Sequence, residues 1–355
     1  MENIEKRIKE LEEEIQKTPK NKATEKHLAL LKAKLARLKE EKENIKAKSK
    51  KHSQISIKKQ GNATIALIGF ASVGKSTLLK KLTNAEPKIA EYPYSTAHPQ
   101  IGMMEYNHAK IQIIDLPGII KERHSIEKIR EILSFARIAD LILLVFDPSN
   151  ARDKQKIENI LYDLNFRLNK AKPSITIEKK PSDGLIINKN SNCKLSDDQI
   201  KSILKGLGLH NGVITINCDA SEEDIIDSFF RNRVYIPAMK ILNKIDLLPS
   251  EKVNKIKEYF PISAEKGINI EELKRKIWEM LRLKRIYLKP KGKDIEKEPL
   301  IVKGNKTLKD ISLRIFGKEA KKAYLIKEKG IKREVSLDYI PKDKDIIEFK
   351  TKKQN

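Results

Sequence analysis

The 355-residue sequence has two cysteines, 5% aromatic residues and no apolar run approaching the ~18 residues of a membrane span. Each scarcity removes a class of protein. Cys193 and Cys218 form no CxxC pair and have no histidine at metal-ligand spacing, so neither a disulfide framework nor a structural zinc site is expected, and both read as buried thiols. Few aromatics argue against single-strand recognition built on stacking platforms. The opening MENIEKRIKE lacks the apolar core of a signal peptide, so a cytoplasmic protein without membrane contact is expected.

Charge is what the chain has in excess: 74 Lys+Arg against 49 Asp+Glu, a formal net charge of +25. Such a field concentrates polyanions, nucleic acid first among them, although a lysine-rich solvated surface has the same composition. The excess sits at the ends, with 18 basic against 10 acidic residues over 1–60 and 22 against 11 over 284–355. Basic appendages on a nearly balanced centre are the expected arrangement. At 39% hydrophobic residues the length suits two or three domains.

Ile4, Ile8, Leu11 and Ile15 form one helical stripe and Leu28, Leu31, Leu35 and Leu38 a second, across a turn at Pro19. A basic helical hairpin over 1–60, closed on itself, is expected. From Thr64 onward β-rich runs (TIALIGF, IQIID, LILLVFD, AMKILN, YFPIS) alternate with helical ones, the pattern of an α/β domain with a mostly parallel sheet covered on both faces. Roughly 85 residues break this rhythm after Asp147, which reads as an inserted subdomain over 150–233 within a domain spanning 61–285. The last segment, 286–355, reads as a small α+β module with a basic tail.

Residues 69–76, GFASVGKS, complete the pattern G-x-x-x-x-G-K-[ST] between an apolar strand and a helix. Gly69, Ala71, Ser72, Val73 and Gly74 would turn main-chain N–H groups toward phosphate oxygens; Lys75 would reach the β- and γ-phosphates, Ser76 would ligate Mg²⁺, and Thr77 lies alongside. Asp115-Leu116-Pro117-Gly118 ends the strand IQIID, where the carboxylate would hold a water on Mg²⁺ and the Gly118 N–H would meet the γ-phosphate. In Asn243-Lys244-Ile245-Asp246, the Asp246 carboxylate matches the paired N1–H and exocyclic amine donors of guanine, a pair that adenine does not offer. Asn243 and the Lys244 stem would support the ring, and Ser263-Ala264-Glu265 would bring the Ala264 N–H to guanine O6. Thr96, or failing it Ser95, would close over the metal. Lys75, Thr96, Asp115 and Gly118 thus form the expected catalytic set, and Ser76, Thr96 and Asp115 the expected metal set.

With these motifs the chain resembles the developmentally regulated GTP-binding proteins, the archaeal and eukaryotic branch of the OBG-like GTPases. KKQGNATIALIGFASVGKSTLLKKL, AKIQIIDLPGII, FRLNKAKP, DSFFRNRVYIPAMKILNKIDLL and ISAEKGINIEELKRKIWEML carry the resemblance, which spans nearly the whole length. It implies a Ras-like G domain, an inserted α/β subdomain and a C-terminal β-grasp TGS domain. It also implies a monomeric switch that hydrolyses GTP to GDP and phosphate, is stimulated by potassium, and has the ribosome, rRNA or tRNA and a zinc-finger regulatory protein as partners. The competing reading is an RNA-binding scaffold whose guanine nucleotide is structural. A DNA-binding helical pair is disfavoured, because no recognition-helix signature follows the turn.

Ile119 stands where Ras-like enzymes carry a water-orienting glutamine, an apolar replacement the chain shares with the family it resembles, so slow unaided turnover is expected. Elsewhere the chain departs from the family. Ser72 replaces the asparagine that helps hold potassium in relatives. Residues 121–137 lack the family's glycines and should be more helical; Arg123 and Arg130 there read as solvated switch residues rather than cations acting on phosphate. Ala71 and Phe230 replace a proline and a glycine.

Overall fold

The computed structural model describes residues 2–21, 23–49, 57–83, 88–89, 98–119, 124–230, 232–249, 251, 253, 256–327 and 331–350. They fall into two compact units, one made of 1–54 with 165–235 and the other of 55–164 with 236–355.

In the second unit β1 (Ala63–Gly69), β4 (Ala109–Asp115), β5 (Leu141–Phe146), β11 (Ala238–Leu242) and β12 (Phe260–Pro261) run parallel in the order β12-β11-β5-β1-β4. Every residue of β1 and β5 is buried, which is why both read as unbroken apolar runs. The sheet then continues antiparallel through β3 (Gln100–Tyr106) to β2 (Lys88–Ile89). This edge escapes a sequence reading because β3 is mostly half-buried and its hairpin turns on Asn107-His108, both at positive φ, without the glycine that usually marks such a turn. Leu78, Leu79 and Leu82 of α3 (Lys75–Leu82) and Leu273, Ile277 and Trp278 of α8 (Ile270–Met280) pack on the sheet.

The same core takes in Leu283 of β13 (Leu283–Leu288) and Ile301 of β14 (Leu300–Lys303). The C-terminal module therefore starts three residues before the expected boundary, directly after α8. Its five strands lie in the order β14-β13-β17-β15-β16, with β15 at Lys322–Ile326, β16 at Lys332–Val335 and β17 at Ile346–Lys350. The helix α9 (Leu308–Phe316), started by a capping box between Thr307 and Asp310, lays Leu308 and Ile311 against Ile286, Ala323 and Ile347.

In the first unit α1 (Glu2–Lys17) and α2 (Glu25–Ser49) form the hairpin, but the hairpin is not closed on itself. Ile4, Ile8, Leu11 and Ile15 are only half-buried. Ala29 and Ala33 of α2 instead join the core of Ile200, Ile203 and Leu204 on α6 (Asp197–Gly206). An alanine stripe carries little hydropathy, so its role as a packing face is weak in sequence. Nor is the hairpin uniformly basic. Glu12 and Glu5 of α1 pair with Lys39 and Lys42 of α2, at 2.8 Å each.

The inserted segment begins at Asn165 rather than 150, because α5 (Lys154–Asp163) belongs to the other unit. It contributes a three-stranded sheet in the order β7 (Ile175–Lys179), β9 (Gly212–Ile216), β8 (Leu185–Lys189), backed by α6 and α7 (Glu222–Phe229). Asp227 of α7 is paired with both Arg167 and Arg233, and Arg233 also reaches Glu40 of α2 at 3.1 Å. Cys193 is buried in this unit's core, whereas Cys218 is only partly buried against it.

Candidate functional site

Parallel strands ending at one edge bring their terminal residues to one level, and that edge is where the motifs meet. β1 runs directly into the loop 69–76. Ser72 (φ 64) and Gly74 (φ 88) take left-handed conformations on either side of buried Val73, the alternation that turns successive N–H groups into one concavity. A β-carbon on Gly118 would lie 2.6 Å from the Ala71 Cα, so the DLPG turn is packed directly against the phosphate loop.

Ser76 Oγ donates to Asp115 Oδ2 at 2.6 Å, while Asp115 Oδ1 is buried with no hydrogen-bond partner. Burial raises the Asp115 pKa above the ordinary aspartate value, against the Ser76 hydrogen bond and the Lys75 charge. Burial also lowers the Lys75 pKa, with Asp115 opposing it. The Lys75 ammonium donates to the carbonyls of Phe70 at 2.9 Å and Gly69 at 3.5 Å. An orphaned carboxylate oxygen beside a serine hydroxyl is a donor set that suits a hard divalent cation, so these residues fit Mg²⁺. Among the described residues no cluster of three or more His, Cys, Asp or Glu offers another metal site. Thr96, Ser95 and Arg123 lie outside the described residues.

The base-side tetrad is stitched to the phosphate loop. Asn243 is 2% exposed; its Nδ2 donates to the Val73 carbonyl and its Oδ1 accepts from the Ala264 N–H, both at 2.9 Å. Asn243 is thus buried between the phosphate loop and the 263–265 loop, with both ends of its carboxamide satisfied, as a buried amide requires. Ser263 is fully buried and its Oγ accepts from the Lys266 N–H at 3.1 Å. Asp246 and Glu265 are exposed at the rim. The Lys244 ammonium donates to the Ser72 carbonyl at 2.6 Å and to Asp147 at 2.9 Å.

Asp147 is the site residue that sequence reading passed over. It was visible as the last residue of the run LILLVFD, ending a parallel strand as Asp115 does. Desolvation pushes its pKa up, but the Ser149 and Lys244 hydrogen bonds outweigh that and hold it below the usual range. Ile119 is 1% exposed, with its N–H bonded to the Gly69 carbonyl at 3.0 Å, so an apolar side chain is fixed directly after the DLPG turn. After it, the glycine-free stretch forms α4 (Ile126–Ser134), capped by Ser125, with Ile129, Ile132 and Leu133 buried. Arg130 is half-buried on this helix.

A phosphate loop, a strand-end aspartate and a base-side NKxD tetrad at one edge of a parallel sheet define a GTP-binding protein of the GTPase superfamily. Residues 64–180 match the family model described as 50S ribosome-binding GTPase, and residues 182–283 match that for the C-terminal region of the MMR_HSR1 domain. An uncharacterized GTP-binding protein of Methanocaldococcus jannaschii is 42% identical, over 87% of this chain and 81% of its own. Developmentally-regulated GTP-binding protein 1 of Xenopus laevis is 38% identical over 97% of this chain and 98% of its own. Developmentally-regulated G-protein 3 of Arabidopsis thaliana is 38% identical over 89% and 88%. The chain belongs to the family of developmentally regulated GTP-binding proteins.

Proposed function

We propose that the protein hydrolyses GTP to GDP and phosphate, slowly when alone, and uses the two nucleotide states as a switch on an RNA-rich, ribosome-associated partner. The observation that carries this reading is the pairing of Ser76 with an Asp115 whose second oxygen is buried and unpartnered, packed under a loop shaped for phosphate. In this reading loop N–H groups hold the phosphates, and the Lys75 ammonium leaves the Phe70 carbonyl for the β- and γ-oxygens. The Gly118 N–H meets the γ-phosphate, and Asp246 with the Ser263–Glu265 loop reads the base. Mg²⁺, held by Ser76, Asp115 and Thr96, would neutralise charge on the phosphates.

Buried Ile119 supports slow turnover, within a few orders of the ~10⁻⁴ to 10⁻² s⁻¹ of unaided switch GTPases. Potassium, a zinc-finger protein or the ribosome is then the source of acceleration, in the cytoplasm. The same residue is what favours the second reading, an RNA-binding scaffold with a structural nucleotide. Partner contact is assigned to the basic C-terminal TGS-like module and to the lysines of α2, through phosphates rather than stacked bases.

The test is GTP turnover in potassium against sodium, with and without ribosomes, for wild type and Lys75→Ala. Stimulation that disappears in the Lys75 variant is expected. No hydrolysis under any condition, together with equal ribosome affinity in GTP and GDP, would establish the scaffold instead.

A further inference from the structure

Asp147 lies one residue beyond the registered pair Phe146↔Leu242 of β5 and β11, and Asn243 donates its N–H to the Phe146 carbonyl at 2.7 Å. The two strand ends are thereby locked level. One carboxylate oxygen of Asp147 is occupied by Ser149, through Oγ at 2.6 Å and N–H at 3.1 Å. The other oxygen is aimed at Lys244, and the Asp147 side chain is only 10% exposed. Lys244 itself turns left-handed (φ 61), which brings its ammonium back over the phosphate loop to the carbonyl of Ser72, a residue that is also left-handed without being glycine.

We propose that Asp147 is a positioning residue for guanine nucleotide: it holds the Lys244 ammonium on the Ser72 carbonyl, and so couples the base-reading loop to the phosphate loop. This rests on the reading that the two loops hold one GTP or GDP. Without the carboxylate, a four-carbon lysine stem has no reason to stay over Ser72, and its methylenes no longer offer a fixed wall to the purine. The left-handed turn at Ser72 also loses the charge that holds its carbonyl. The γ-phosphate end of the site, built on Lys75, Ser76 and Asp115, makes none of these contacts. The effect therefore belongs to nucleotide retention and not to the chemical step.

The experiment measures release of a fluorescent GDP by stopped flow, and single-turnover GTP hydrolysis at saturation, in wild type, Asp147→Asn, Lys244→Met and the double variant. Asp147→Asn should release GDP roughly tenfold faster, the equivalent of one charge-assisted hydrogen bond, with the saturated hydrolysis rate within about twofold of wild type. In the Lys244→Met background the same substitution should add nothing, because its effect passes through the ammonium. Wild-type release in Asp147→Asn, or the full acceleration repeated in the Lys244→Met background, overturns the proposal. Wild-type protein that retains no guanine nucleotide overturns the parent reading and this one with it, a result distinct from either.

Discussion

The Asn243 carboxamide occupies the space that a β-carbon on Gly74 would need, and donates from there to the Val73 carbonyl at 2.9 Å. The glycine is required twice over, by φ 88 and by this contact. Gly74→Ala should therefore abolish nucleotide binding and lower the melting temperature together. Asn243→Ala leaves the Val73 carbonyl and the Ala264 N–H unpaired in a buried site, for a loss of about 2–3 kcal/mol. Urea unfolding of the nucleotide-free protein reads both effects, and an unchanged midpoint for Asn243→Ala would show that water replaces the carboxamide without cost.

Asp115 sets function against stability. Its buried, partly unsatisfied carboxylate has a raised pKa, so the folded protein holds that proton more tightly than the unfolded chain does. The resulting stability is present below the ordinary aspartate value and is lost as pH rises through the raised one. At neutral pH the ionised group is a liability. Asp115→Asn should raise the melting temperature of the nucleotide-free protein by a few degrees while removing the Mg²⁺ dependence of GTP affinity. A lower melting temperature would mean that the attraction to Lys75 outweighs desolvation.

Asp246 stands exposed at the rim, available to two donors of a guanine edge. Asp246→Asn exchanges one acceptor for a donor, which mismatches the guanine amino group and matches the C2 carbonyl of xanthine. GTP affinity should fall by roughly a hundredfold and xanthosine triphosphate should gain, as expected when a polar match is broken and remade. Competition against fluorescent GDP measures both. Equal weakening toward the two nucleotides would remove Asp246 from base recognition.

The motifs were legible in sequence because each follows an apolar strand whose end fixes its position, as Ile114-Asp115 and Leu242-Asn243 do. What could not be read was how those ends are joined. Asn243 and Ala264 carry nothing in their identities to say that they bond each other, and Asp147 forms no motif with Lys244, 97 residues away. The antiparallel strand β3 was lost for a different reason: it is mostly half-buried, and half-burial leaves neither an unbroken apolar run nor a clean alternation. The alanine face of α2 was missed because small residues pack closely while contributing little to hydropathy.

Asp140 makes the stability of the larger unit depend on pH in the sense opposite to Asp115. One oxygen accepts the Thr64 N–H at 2.9 Å, at the start of β1, and the other accepts Lys59 at 3.1 Å and Lys303 of β14 at 2.6 Å. Desolvation pushes its pKa up, but Lys303, the Thr64 N–H and Lys59 together hold it below the ordinary value. A carboxyl lowered in the folded state contributes stability that is fully present above the unfolded value, about 4, and is lost as pH falls through the folded one. Asp140→Asn keeps an acceptor for Thr64 and removes the charge facing two lysines, so it should cost about 1–2 kcal/mol at pH 7, discounted for partial exposure. The cost should shrink as pH falls below the ordinary aspartate value and vanish only below the lowered folded one, where the wild-type carboxyl is also neutral. Lys303→Met should lose much of the same stability at pH 7, and less once Asp140 is already Asn. Urea midpoints from pH 3 to pH 7 decide it: a difference between wild type and Asp140→Asn that stays constant across that range would mean the residue acts by shape alone and that its charge does not tie β1 to the C-terminal module.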